Sequence, residues 1–166
     1  MYSPALSSTW KTIKVNRYIH ELIDEQHPDI VIISYPGGIM SLNEFENNYF
    51  GEISHILTNA VESDYGILCT YCNSHYTKQY LEYLKAICES KLGIEILQFC
   101  LSKQNWSVDA EWKKTEYFFY RDNYFEKNIL AKLPFKKGDV IQGNTNELKN
   151  VTYKLIDLFS NNIEIL

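Results

Sequence analysis

The tightest constraint on the fold is the run Asp29 to Tyr35 (DIVIISY), where β-branched apolar residues follow one another without polar alternation. A strand covered on both faces reads this way, because it has no wet side to mark with polar residues. Pro36-Gly37-Gly38 then stops the run. Tyr65 to Thr70 (YGILCT) is a second candidate for a buried strand, and Ile94 to Cys100 predicts a third strand. Around these runs the apolar residues fall at helical spacing. Ser7 to Gln26 carries Val15, Tyr18, Ile19, Leu22 and Ile23 on one stripe and stops at His27-Pro28. From Ser41 onward, Leu42, Phe45, Tyr49, Ile53, Ile56, Leu57 and Ala60 predict one long helix, or two broken near Asn47–Gly51. Tyr76 to Lys91 predicts another, with Gly93 at its C-terminus.

The second half is less regular. Leu101 to Lys114 reads as irregular, and Thr115 to Tyr120 (TEYFFY) as β. Asp122 caps a short helix through Leu133, closed by Pro134. Asp139 to Gln142 predicts a fourth core strand, and Ile163 to Leu166 a terminal one. Between them, Thr145 or Asn146 caps a last helix bearing Leu148, Val151, Leu155, Leu158 and Phe159. Such alternation predicts an α/β fold, a three-layer Rossmann-like or flavodoxin-like arrangement with a mostly parallel sheet and helices on both faces. The 166 residues suit a single α/β domain spanning 1–166. Because the chain opens on a helix, the first strand of such a sheet is expected from a preceding segment or a partner chain; a homo-oligomer is a separate expectation.

Composition narrows the function classes. Apolar residues at 45% and charged residues at 22% are globular values. A net charge of −5 argues against a nucleic-acid partner. No apolar run has membrane-spanning length and no signal pattern opens the chain, so a cytoplasmic domain with no membrane partner is expected. The four cysteines then read as thiols rather than a disulfide framework.

Two segments stand out chemically. Tyr35, Pro36, Gly37, Gly38, Met40 and Ser41 lie at the carboxyl end of the first predicted strand, where open parallel sheets bind ligands and glycines let an anion approach free amides. Ser41 and Glu44 also have capping-box spacing, which uses the same residues structurally. Glu44 is the carboxylate nearest the strand end and the candidate general base. Cys69, Cys72 and His75 occupy the equivalent place at the end of the second predicted strand, with Cys69 still inside its apolar run. A C-x-x-C before a helix is compatible with a redox dithiol. With His75 it offers three zinc ligands, but no further C-x-x-C or H-x-x-H completes four. Ordinary core or loop cysteines are the favoured reading, with Cys88 and Cys100 on apolar faces. Both segments are expected to share one crevice. Trp106, Trp112 and Tyr117 to Tyr120 read as core before they read as a peptide-binding surface. No cofactor can be named from these residues.

Two family resemblances bear on function. Pro36, Gly37, Gly38, Ser41 and Glu44 partly match the Pro-Gly-Gly-x-Gly-Thr-x-x-Glu signature of the lonely-guy nucleotide phosphoribohydrolases, with Met40 in place of the third glycine. That likeness implies phosphate at the glycines and N-glycosidic cleavage assisted by Glu44. The stretch Pro28 to Met40, continuing through Asn59-Ala60-Val61 and Asp64-Tyr65, resembles a clostridial peptide maturation system family. Its genes lie beside radical SAM peptide-modifying enzymes and Cys-rich precursor peptides. This likeness implies an accessory or partner-binding role toward a precursor peptide or its modifying enzyme. It also implies that the chain is the carboxyl half of a longer architecture. A structural subunit completed by a partner remains a third possibility.

Overall fold

The structure, a computed structural model, describes residues 6–35, 37–73, 76–133, 140–141 and 145–161. Helix α1 (Ser8–Gln26) starts where Ser7 Oγ accepts the Trp10 amide at 3.3 Å. It ends on His27 in the left-handed region, ahead of Pro28. None of its residues is fully buried. It is held to α2 (Glu52–Ala60) by a Lys11–Glu52 ion pair at 2.9 Å and by Asn16 Nδ2 donating to the Ala60 carbonyl at 2.6 Å.

Strands β1 (Tyr65–Thr70) and β2 (Glu95–Leu101) pair in parallel through six register positions, joined by α3 (Lys78–Leu92). Thr77 caps α3, and Gly93 ends it with positive φ. Two residues of β5 (Val140–Ile141) pair in parallel with the far side of β2. Strands β3 (Gln104–Asp109) and β4 (Lys114–Phe119) form a separate antiparallel hairpin, also of six pairs. A helical stretch from α4 (Asp122–Tyr124) through Lys132 and a last helix α5 (Thr145–Asn161) complete the order.

This is not the three-layer Rossmann-like or flavodoxin-like fold expected, with its mostly parallel sheet and helices on both faces. Among the described residues the sheets are two and small. Asp29 to Tyr35 forms no strand, and Ile30, Val31 and Ile32 are exposed, Ile32 at 90%. The expectation failed because β-branched residues supply propensity, whereas a strand exists only through its hydrogen-bonding neighbour. The hairpin occupies much of Leu101 to Lys114, the stretch whose sequence reads as irregular. Asp109 Oδ1 accepts the amides of Glu111 and Trp112 at 3.0 Å each and turns the chain back on itself.

The helix expected from Ser41 begins only at Glu52. Asparagine side chains compete for the amides it would need. Asn43 Oδ1 accepts from the amides of Phe45 and Glu46, and Asn47 Oδ1 from that of Tyr49, all at 2.9 Å. The Ser41–Glu44 capping box is therefore replaced by a turn centred on Asn43. The core divides accordingly. One cluster joins Cys72, Leu101, Phe125, Ile129 and Leu133; the other joins Cys88, Ile94 and Ile96, with Tyr35, Ile39 and Leu68 packed on it. The expected terminal strand at 163–166 and the ends of the one at 139–142 lie outside the described residues.

Candidate functional site

The glycine-bearing and cysteine-bearing segments do not line one crevice at a sheet rim as expected; the loop after the first and Tyr71 of the second each touch the β3–β4 hairpin. Asn43 Nδ2 donates to Thr115 Oγ1 at 2.9 Å, and the Tyr117 hydroxyl donates to Glu46 Oε2 at 2.5 Å. On its other side Tyr117 meets Tyr71, which lies between Cys69 and Cys72, with ring centroids 5.7 Å apart. Desolvation first, then the hydrogen bonds to Glu46 and Tyr71, push the Tyr117 hydroxyl above the ordinary tyrosine range. Position 117 of β4 thus ties both loops together.

Beside this junction lies an open cleft of about 370 Å³, floored by Gly37, Glu46, Asn48 and Tyr49. Gly37 holds φ +78° with open space around its α-carbon, whereas a β-carbon on Gly38 would come within 2.7 Å of Asn48 Nδ2. Asn48 Nδ2 in turn donates to the Met40 carbonyl at 3.2 Å. Asn48, Tyr49 and Phe50 all take positive φ, followed by Gly51 at +79°. A non-glycine residue in this region costs on the order of 1 kcal/mol or more, and such strain concentrates where a loop is shaped for contact. Here the strained turn leaves Tyr49 and Phe50 exposed beside the cleft. Glu46 is the one charged side chain of the lining, so the cleft offers an anion a carboxylate instead of a cation.

The remaining predicted site residues disperse. Tyr35 is half-buried on the second core cluster, its hydroxyl 3.2 Å from Ser63 Oγ. Ser41 and Glu44 are exposed. Pro36 and His75 lie outside the described residues. Cys72 is fully buried, its amide donating to the Gln104 carbonyl at 2.9 Å, and burial pushes its thiol up to about 11. Cys69 is exposed and stands opposite Cys100 in the β1–β2 register. Among the described residues, no three His, Cys, Asp or Glu side chains gather as a metal site would require.

The sequence does not single out Asn43, Glu46 or Tyr71, and it places Tyr117 and Cys100 in the core. The alternation of Trp106 and Val108 with polar neighbours, followed by Asp109, was the available signal for the hairpin. No family model matches the chain, and no curated protein or solved structure is similar to it.

Proposed function

We propose that this chain is an accessory protein in the maturation of a ribosomally made peptide, binding an extended peptide along β4. The observation that carries the reading is the exposure of every β4 residue except Thr115. Phe119 is 73% exposed, and Trp112, in the adjoining turn, 71%. Among the described residues β4 has β3 as its one strand partner. An apolar edge strand of this kind is a template for an added strand, whose main chain supplies affinity and whose alternate side chains supply selectivity. Asn43, Glu46 and Tyr71 brace this strand through Thr115 and Tyr117, so the edge is held before any peptide arrives. The likeness of Pro28 to Met40 to a peptide maturation family supports a precursor peptide as the partner. No described helix is long and apolar enough to cross a membrane.

The test is fluorescence anisotropy with a labelled synthetic Cys-rich precursor peptide, alongside hydrogen exchange. Burying a phenylalanine is worth about 1.5–3 kcal/mol, so Phe119→Ser should weaken binding at least about tenfold. The amides of β4 should gain protection when peptide is added. Binding that ignores Phe119→Ser and leaves the β4 amides exchanging as before would overturn the reading.

A further inference from the structure

Cys69 and Cys100 are direct partners across the parallel β1–β2 ladder. Paired residues on neighbouring strands project to the same face with α-carbons about 4.7–4.9 Å apart, inside the ~4.4–6.8 Å range that a disulfide spans. The two thiols are already hydrogen-bonded to each other. Cys69 is exposed and Cys100 half-buried, so Cys69 is the more accessible of the pair to a small solute.

We propose that Cys69 and Cys100 form a reversible thiol–disulfide site, oxidised by hydroperoxide, that links edge strand β1 covalently to β2. The roles of the two sulfurs differ. The hydrogen bond from Cys100 lowers the Cys69 thiol to about 6, against the opposing effect of burial, which favours Cys69 over Cys100 as the attacking sulfur. The same bond, with burial, the Cys69 charge and Glu147, holds Cys100 protonated and its thiol above the ordinary range. Burial pushes Cys72 and Cys88 up to about 11, which keeps both as inert thiols.

The steps balance as follows. The Cys69 thiolate attacks one oxygen of hydrogen peroxide, the O–O bond breaks, and hydroxide leaves to take up a proton as water. Cys69 is then a sulfenic acid. The Cys100 sulfur attacks Sγ of Cys69, the S–S bond forms, and the departing hydroxide takes the Cys100 proton as a second water. Two thiols are oxidised by two electrons and one peroxide is reduced. A small dithiol reverses the step by exchange.

The experiment treats the full chain with hydrogen peroxide, counts thiols after denaturation, and maps the bridged peptides by mass spectrometry. Titratable thiols should fall from four to two, with one linkage joining 69 to 100 and restored by dithiothreitol. Cys72→Ser should bridge as the parent does. Cys100→Ser should stop at a Cys69 sulfenic acid that dimedone traps, and Cys69→Ser should give neither product. A 69–72 bridge, a linkage between molecules, or four thiols still titratable after excess peroxide would each overturn the proposal.

Discussion

Gly37 and Gly51 offer a matched pair of perturbations. Their φ values are +78° and +79°, so alanine at either position meets the same backbone penalty, about 1–2 kcal/mol for an L-residue held left-handed. Their surroundings differ. A β-carbon at 37 meets nothing within 4 Å, whereas at 51 it would lie 2.5 Å from the Ile39 carbonyl oxygen and 2.9 Å from its carbon. That neighbour is main chain and cannot rotate aside. Ile39 also packs on the Cys88, Ile94 and Ile96 cluster, so moving it disturbs the core. Overpacking of this kind costs about 1–3 kcal/mol. Gly37→Ala should therefore lose about 1–2 kcal/mol from the left-handed backbone alone. Gly51→Ala should lose about 1–3 kcal/mol more. Urea unfolding followed by far-UV circular dichroism measures both, provided the denaturant slopes agree. Equal losses at the two sites would refute the close approach of Gly51 to Ile39.

Three further outcomes are expected. The rate of Cys69 alkylation by iodoacetamide should rise through a midpoint about pH 6, and Cys100→Ala should move that midpoint up toward the ordinary cysteine range, since the donated hydrogen bond is gone. Tyr117→Phe should cost about 0.5–1.5 kcal/mol by urea unfolding at neutral pH. Because the folded-state value of Tyr117 is raised, its contribution is complete below the unfolded tyrosine value of about 10 and fades as pH climbs above it, so the variant should show a flatter alkaline limb. Ile32→Asp should change stability by no more than about 0.5 kcal/mol, as befits a side chain 90% exposed; a loss of several kcal/mol would instead restore a buried strand at 29–35.

Local chemistry carried much of the secondary structure. Ser7 and Thr77 are good caps, Gly93 terminates α3 in the left-handed region, and YGILCT and the run after Ile94 pair as parallel strands, as their β-branched and aromatic content predicts. Where two local signals competed, spacing alone could not rank them. Leu42, Phe45 and Tyr49 keep helical spacing, yet Asn43 and Asn47 capture the amides that the helix would use. The run at Ile30 to Ile33 has strand propensity but pairs with no strand among the described residues.

By itself, then, the sequence determined which segments turn, which helices cap, and which runs are able to pair, because these depend on residues a few positions apart. Only the tertiary structure decided which residues meet. Counting down β1 and β2 from their first pair, Tyr65 with Glu95, would set Cys69 against Phe99. A register shift between Gly66 and Ile67 sets it against Cys100 instead. Gly66 lies where a β-carbon would press on Ile94 and Ile96, so close packing between strands, invisible to any local pattern, aligns the two sulfurs. Likewise, the meeting of Glu46 and Tyr71 on Tyr117 depends on a hairpin docking against two distant loops. Contacts of that range are fixed by the balance of the whole packed chain.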